Sequence, residues 1–251
     1  MTTVLFDLGN TRLKYAALRG DGSLGTVLAV AHDGDALPAD WDAALPARFE
    51  TAALTIVGSA ALRARLLDAL AARCGRISIA RTMAAFDGLR IAYPQPESLG
   101  ADRFLAMLGA RARDRLAKTS IAAPWLVVGI GTAITIDLID TDGLHRGGRI
   151  APSPALMREA LHARAAQLPE HGGEYVAFAD NTADALRSGC DGAALALIER
   201  GFRDAEALLG AAPTLILHGG GALALSGLSG DAAHAPSLVL EGLAAWATIP
   251  A

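Results

Sequence analysis

Residues 7–14 read Asp7-Leu8-Gly9-Asn10-Thr11-Arg12-Leu13-Lys14, and this stretch decides the fold. Apolar residues at 4–6 and 15–18 predict two strands, and too few residues lie between them for any connection but a hairpin. The glycine lets backbone N–H groups approach an anion, and the lysine supplies a point charge suited to phosphate. The carboxylate can bind Mg²⁺ directly or through water. The stretch therefore predicts a phosphate-binding hairpin, which is typical of nucleotide-using enzymes.

The same organisation returns in the second half of the chain. An apolar run at 125–128 is followed by a turn with glycine and threonine at 129–133 and a further apolar run at 134–139. Similar segments half a chain apart predict two similar lobes rather than a short-period solenoid. Each lobe would offer a phosphate-facing hairpin, and we expect a nucleotide to bind in the cleft between them.

The chain length fits this two-lobe organisation. The 251 residues accommodate two lobes of ordinary domain size, which we place at residues 1–117 and 118–251. Hydrophobic residues make up 52% and aromatic residues only 5%, so we expect a core of Ala, Leu, Val and Ile. Short apolar runs that alternate with helical patterns predict an α/β fold, with a mixed sheet flanked by helices in each lobe.

Composition also argues against several classes of protein. The net charge of −4 and the lack of a dense Lys/Arg run argue against nucleic-acid binding. Cys74 and Cys190 lie far apart, which favours cytoplasmic thiols over a disulfide framework. Asp7 comes too early for a signal peptide, and the weakly polar stretch 121–136 is shorter than the ~20 residues of a membrane span. We therefore expect a soluble, cytoplasmic protein without a membrane partner.

Capping residues and apolar spacing predict the remaining elements. Ser59 precedes leucines at helical spacing, which predicts a capped helix over 60–73. Asn181 and Thr182 predict the start of a long helical stretch, with a break at Ser188-Gly189. The other expected elements are a third strand at 24–31, a short helix within 33–49, a helix at 154–167, a last strand at 238–240 and a closing helix at 241–248.

Asp102 and Arg103 form a second candidate site for chemistry. Prolines make residues 93–99 an extended loop, and Gly100 permits a sharp entry into the helix that follows. Asp102 lies in the first helical turn, where a carboxylate complements the helix dipole. The alternative role is a general base that takes a hydroxyl proton during group transfer, and the shaped loop ahead of the helix favours it.

Three weaker signals leave more than one interpretation open. Thr132 on the second hairpin is either a donor to phosphate or an ordinary β-branched strand residue, and the repeat favours nucleotide contact. The glycines at 219–221 fit a phosphate- or adenine-approach loop and fit a tight turn equally well. The six histidines show no i,i+4 pair and no cysteine at ligand spacing, which argues against a structural zinc site.

Taken in order, these motifs resemble those of the type III pantothenate kinases, members of the actin-like ATPase superfold. The resemblance spans nearly the whole chain, and it implies two actin-like, ribonuclease H-like lobes with the active site between them. The motifs are Asp7-x-Gly9-Asn10-Thr11-x-x-Lys14, Tyr93 before the proline loop, Gly100-x-Asp102-Arg103, Gly131-Thr132-Ala133-x-Thr135-x-Asp137, Gly147-Gly148-x-Ile150-x-Pro152 and Asn181-Thr182.

The resemblance implies a reaction, partners and site residues. The reaction is ATP-dependent phosphorylation of pantothenate to 4′-phosphopantothenate, the first step of coenzyme A biosynthesis, carried out by a homodimer. Asp102 is the implied proton acceptor, and Asp7 would hold Mg²⁺ that arrives with ATP. ATP contacts are implied for Asp7, Leu8, Gly9, Asn10, Thr11, Arg12, Leu13, Lys14 and Thr132. Pantothenate contacts are implied for Tyr93, Gly100, Ala101, Asp102, Arg103 and Thr182.

Two positions depart from the family pattern. The family usually has an aspartate two residues before Gly131, where it binds a monovalent cation such as K⁺ or ammonium. This chain has Gly129 there, which offers only a backbone carbonyl. The sequence leaves open whether a basic side chain or a water does the cation's work. Ser153 stands where a glycine commonly follows Pro152, a change expected to affect the loop rather than the chemistry.

Two other functions remain open from the sequence. One is a different small-molecule kinase of the same superfold, acting on a sugar or an acyl acid, and the loop at Tyr93 together with the motif at Asp102 argues against it. The other is a non-catalytic nucleotide-binding regulator. Loss of Asp7, Lys14 or Asp102 would favour a regulator, and all three residues are present.

Overall fold

The computed structural model describes residues 2–117, 123–222, 225 and 232–248. It confirms the α/β class, since two five-stranded mixed sheets are each flanked by helices. The described residues group into two compact units. The first comprises the described residues of Met1–Ala122, Asp142–His145 and Ser237–Ala251, and the second comprises those of Ala123–Thr141 and Arg146–Pro236.

The first unit contains a sheet with strand order β3-β2-β1-β4-β5. Its strands are β1 (Thr3–Leu8), β2 (Arg12–Leu18), β3 (Leu28–Ala31), β4 (Phe49–Ile56) and β5 (Cys74–Ile79). β1 and β2 form the expected antiparallel hairpin, and β4 runs parallel to β1 on its other side. The expected third strand is shorter than residues 24–31, because Leu24 makes only an isolated bridge with Leu18. Residues 33–49, all of them described, contain no helix.

Helix α1 (Ala60–Ala71) begins where the sequence predicts it. The Ser59 hydroxyl accepts a hydrogen bond of 3.2 Å from the Leu62 backbone N–H, which satisfies one of the unpaired donors of the first turn. Leu62, Leu66 and Leu70 recur at helical spacing, and all three are buried against the sheet core. The cap and the apolar face together fix this helix.

A small hairpin and two helices complete the first unit. The hairpin consists of β6 (Ala85–Phe86) and β7 (Leu89–Arg90), joined at Asp87 and Gly88, which both have positive φ values, 49° and 75°. The helices are α2 (Ala101–Ala117) and α5 (Leu238–Thr248). An Asp-Gly pair is a strong hairpin signal, so this turn could have been predicted from the sequence.

Helices α2 and α5 pack with their backbones close together. A Cβ atom added at Gly109 would collide with the Leu238 carbonyl oxygen, and one at Gly242 would collide with the Leu105 carbonyl oxygen. Arg113 donates two hydrogen bonds, 2.6 and 2.8 Å, to the Glu241 carboxylate. The last strand expected at 238–240 is therefore wrong: these residues begin α5. This packing also places α5 in the first unit, so the grouping differs from the expected boundary at 117/118.

The second sheet repeats the order of the first. Its strands are β8 (Trp125–Ile130), β9 (Ala133–Ile139), β10 (His145–Pro152), β11 (Thr214–His218) and β12 (Ala233–His234), in the order β10-β9-β8-β11-β12. β8 and β9 form an antiparallel hairpin, and β11 runs parallel to β8. In both sheets the hairpin is followed by an outer strand on one side and by parallel strands on the other, so the predicted internal repeat is confirmed.

The described residues of the second unit form the helices α3 (Pro154–Arg164) and α4 (Thr182–Leu209). The break expected at Ser188-Gly189 is wrong, because α4 runs through both residues and ends at Gly210, whose φ is 68°. Gly189 lies on the exposed side of the helix, while Leu186, Cys190 and Ala194 continue the buried face. Among the described residues, no helix is both long and apolar enough to cross a bilayer.

Candidate active site

The first hairpin holds its polar residues on a buried apolar base. Leu8 and Leu13 face each other across β1 and β2 and are fully buried. Of the predicted ATP contacts, these two leucines can therefore offer only backbone groups. The turn closes through a 3.0 Å hydrogen bond from the Gly9 N–H to the Arg12 carbonyl, and residues 10–12 are exposed. The exposed tip leaves the Asn10 and Thr11 side chains accessible to a ligand.

Asp7 carries the most perturbed carboxyl group of this site. Its register partner on β2 is Lys14. Burial raises the pKa of Asp7 to about 7, the nearby Lys14 ammonium lowers it, and the Asp102 carboxylate raises it. The structure thus places Lys14 and Asp102 close enough to Asp7 for their charges to act on its carboxyl group.

Asp102 and Arg103 lie at the start of α2. The Asp102 Oδ1 atom accepts a 2.9 Å hydrogen bond from the Arg103 backbone N–H, and the Phe104 N–H donates to the Gly100 carbonyl at 3.1 Å. A Cβ atom at position 100 would lie 2.5 Å from Asp102 Oδ1. A side chain at 100 would displace that carboxylate, so the glycine provides the space that Asp102 needs.

Tyr93 and Arg103, both predicted from the sequence to contact the substrate, are in contact with each other. Arg103 is only 6% exposed, and its Nη1 donates to the Tyr93 hydroxyl at 3.4 Å. The Tyr93 ring stacks on His145, with centroids 5.7 Å apart and an interplanar angle of 27°. Sequence reasoning missed His145, because it tested the histidines only as metal ligands. No spacing signal connects a histidine at the start of β10 with the loop at residue 93.

Thr132 and Thr182 belong to the second unit. Thr132 is exposed at the β8–β9 turn, and its carbonyl accepts from the Ser153 N–H at 3.4 Å. Ser153 is buried and caps α3, since its hydroxyl accepts from the Leu156 N–H at 3.2 Å. The serine at 153 therefore has a structural role as a helix cap. Thr182 is exposed at the first position of α4, directly after its Asn181 cap.

A cavity of about 450 Å³ lies in the second unit beside this turn. Gly131 and Ser153 line it on one side and Gly221 on another, so one of the predicted approach glycines reaches it. Its charged lining has both signs: two guanidinium groups and three carboxylates, from Arg158, Arg187, Glu159, Glu170 and Asp191.

Gly129 sits in a crowded part of the second sheet. A Cβ atom there would lie 2.7 Å from Thr135 Oγ1 and 2.8 Å from His218 Nε2. Side chains from the neighbouring strands β9 and β11 therefore occupy the space that an aspartate would need. A side chain at position 129 would therefore collide with Thr135 and His218.

Asp7 is the residue best suited to a divalent cation. Within the described part of the chain, no cluster of three or more His, Cys, Asp or Glu side chains is arranged to hold a metal. Burial and the Asp102 charge both disfavour an ionised Asp7. A cation that arrives with a triphosphate would relieve both effects, so the residues fit a metal that is shared with the nucleotide.

Comparisons with known proteins identify the family of this chain. A family model for type III pantothenate kinase matches residues 3–204. Two proteins named type III pantothenate kinase are each 52% identical to this chain. The one from Stenotrophomonas maltophilia (strain K279a) aligns over 247 residues, 98% of each sequence. The one from Xanthomonas axonopodis pv. citri (strain 306) aligns over 248 residues, 99% of this chain and 98% of the relative.

A solved structure supports the fold. The activator of the 2-hydroxyisocaproyl-CoA dehydratase from Clostridium difficile, determined with bound ADPNP, matches with a TM-score of 0.54 at 11% identity, covering 98% of this chain and 94% of that one. This likeness concerns the actin-like fold alone. The family match covers most of the chain, and both relatives align over nearly its full length. The chain therefore belongs to the type III pantothenate kinase family.

Proposed function

We propose that Asp102 accepts the proton of the pantothenate primary hydroxyl while the hairpin of residues 7–14 holds ATP. The family's reaction is ATP-dependent phosphorylation of pantothenate, which leads towards coenzyme A. The observation that supports these roles is the grouping of Asp102, Asp7 and Lys14, whose charges act on one another. A proton acceptor beside a phosphate-binding turn is what transfer to a hydroxyl requires.

In this proposal each residue around the transferred proton has one task. The Arg103 backbone N–H donates to Asp102 Oδ1 at 2.9 Å, which orients the carboxylate towards the hydroxyl. The proton of the pantothenate hydroxyl moves to Asp102 while the hydroxyl oxygen bonds to the γ-phosphorus of ATP. The bond between that phosphorus and ADP breaks in the same step. Arg103 and Tyr93, joined through the tyrosine hydroxyl, hold pantothenate in line, together with Gly100 and Ala101 of the same turn.

The nucleotide side of the proposal uses both hairpins. Lys14 and the exposed amide and hydroxyl groups of Asn10 and Thr11 bind phosphate oxygens, and Thr132 adds a donor in the second unit. Asp7 would hold Mg²⁺, which, when bound, neutralises phosphate charge. The solved activator with bound ADPNP supports an adenine nucleotide as a ligand of this fold.

The test is ADP formation with and without pantothenate, in wild type and in Asp102→Asn. We expect Asp102→Asn to lower kcat roughly 10²–10⁴-fold, because an amide cannot accept the proton, with ATP binding unchanged. Asp114→Asn, the same change on the same helix outside the site, serves as the matched control and should keep wild-type activity. No pantothenate-dependent turnover in wild type would overturn the assigned reaction. Near-normal turnover of Asp102→Asn would move the proton acceptor elsewhere.

We also propose that turnover does not require K⁺ or ammonium. The His218 ring and the Thr135 hydroxyl fill the position of the expected aspartate side chain at 129. Without a carboxylate, the site offers a monovalent cation one backbone carbonyl at this residue, far fewer oxygens than such an ion prefers. The imidazole at that place is the basic group that the sequence left unidentified.

We further propose a cytoplasmic homodimer whose ligands are ATP and pantothenate, with neither nucleic acid nor membrane as a partner. Cytoplasm is where ATP is available, and the net charge of −4 disfavours nucleic acid. An apolar groove of about 760 Å³ between α3 and α4 supports the dimer. Phe178, fully exposed in the same unit, is the kind of side chain that a second copy would cover.

A further inference from the structure

We propose that His145 is a positioning residue for pantothenate, acting through the ring of Tyr93. The inference rests on the proposed function, in which Tyr93 and Arg103 hold the substrate. His145 is fully buried, whereas Tyr93 is partly exposed. The histidine therefore acts from behind the tyrosine and does not itself touch the substrate.

Tyr93 needs outside support because its backbone has no regular structure. It lies between β7 and a 3₁₀ turn at Pro96–Ser98, in a stretch with neither strand nor helix hydrogen bonding. A loop side chain that binds a ligand is precise only when packing locks its rotamer. Here the ring is held on its face by His145 and at its hydroxyl by Arg103, at 3.4 Å.

His145 is itself held by the turn Asp142–His145, which belongs to the first unit. The Arg90 N–H donates to the Gly143 carbonyl at 2.9 Å, and Arg90 and Leu144 form a parallel bridge. Gly143 has a φ of 77°, and a Cβ atom there would lie 2.6 Å from the Arg111 guanidinium. The turn is thus fixed to β7 and against α2, so the histidine it carries has a defined place.

These contacts form one chain of support that ends at the reacting group. His145 stacks on Tyr93, the Tyr93 hydroxyl accepts from Arg103, and the Arg103 N–H donates to Asp102. A stacked ring pair is worth a few-fold to about tenfold in an equilibrium constant. Because Tyr93 contacts bound substrate in the proposal, loss of the stack should appear in the KM for pantothenate before it appears in kcat.

The experiment compares His145→Ala with His145→Phe, which retains a flat ring, and with His234→Ala as an exposed control. We expect His145→Ala to raise the KM for pantothenate roughly three- to tenfold, with the KM for ATP and kcat nearly unchanged. His145→Phe should restore most of the pantothenate KM. His145→Leu, which fills the space without a flat ring, replaces the alanine variant if that protein does not purify in folded form.

A double variant separates positioning from general structural damage. In a Tyr93→Ala background, His145→Ala should change the pantothenate KM no further, because the ring through which it acts is gone. Equal increases in both KM values, no rescue by His145→Phe, or a full additional loss in the Tyr93→Ala background would each overturn the inference. Absence of pantothenate-dependent turnover in wild type would instead overturn the proposed function itself.

Discussion

At the scale of single residues, the surroundings decide what a motif position can do. Gly129 replaces the aspartate of the family pattern, and a Cβ there would lie within 2.8 Å of groups from two other strands. Ser153 replaces a glycine and becomes a helix cap. The sequence identified both departures, but their meaning depends on residues brought in by tertiary packing.

The first residue-scale prediction concerns monovalent cations. Turnover in K⁺ or ammonium buffers should equal turnover in Na⁺ or Tris buffers within about twofold. Gly129→Asp should lose stability, since its Cβ would lie within 2.8 Å of both Thr135 and His218 atoms. Gly20→Asp is the control, because Gly20 is exposed and nothing lies within 4 Å of a Cβ there. Strict dependence of the wild type on K⁺ would contradict the proposal.

The second residue-scale prediction concerns Asp7 and pH. Its pKa rises from 3.8 to about 7 on folding, so the native state binds this proton more tightly than the unfolded state does. The free energy of unfolding should therefore fall as pH rises from about 4 to 7. Asp7→Asn removes this loss. Between pH 5 and pH 8 we expect the free energy of unfolding of Asp7→Asn to increase by about 2 kcal/mol relative to that of the wild type.

Chemical unfolding of the protein without ATP, in EDTA, measures this effect. Asp184→Asn is the control: hydrogen bonds from Asn181 and from the Glu174 N–H lower the pKa of Asp184, so it is already ionised at pH 5. The difference between this control and wild type should stay constant from pH 5 to 8. A constant difference for Asp7→Asn would show that its carboxyl is not perturbed.

At the scale of elements, sequence signals predicted the structure correctly where local interactions, such as helix caps and tight turns, determine the element. Ser59 and Asn181 cap their helices as expected, and both hairpins form. Two of the errors, the strand expected at 238–240 and the break expected at 188–189, share one cause, which is tertiary packing. Residues 238–240 look like a strand because they are uniformly apolar, but they are buried as the first turn of α5 against α2. α4 continues through Gly189 because its buried face is long enough to offset the cost of one glycine.

At the scale of the whole molecule, the repeat is the part of the fold that the sequence predicts best. Two motifs of the same type imply two sheets, and the two sheets have the same strand order. Less predictable was which late segments return to the first unit: α5 and the turn Asp142–His145. The candidate site shows the same difference. Asp7, Asp102 and Arg103 could be predicted from sequence motifs, whereas His145 and His218 are recognised only through long-range contacts in the structure.

The last prediction concerns assembly. Leu156, Met157 and Leu161 of α3 and Leu186 of α4 line the apolar groove, and Leu161 is 44% exposed. An apolar patch of this kind is typical of an interface, and a two-fold dimer would cover the groove and Phe178 of both copies.

Light scattering after gel filtration should give twice the 25.7 kDa chain mass for wild type. Leu161→Glu should shift the protein towards monomer, because a buried unpaired carboxylate is costly. Leu208→Glu, at a leucine 58% exposed outside the groove, should remain dimeric. A wild type of 25.7 kDa would contradict the dimer, and a dimeric Leu161→Glu would place its interface away from α3.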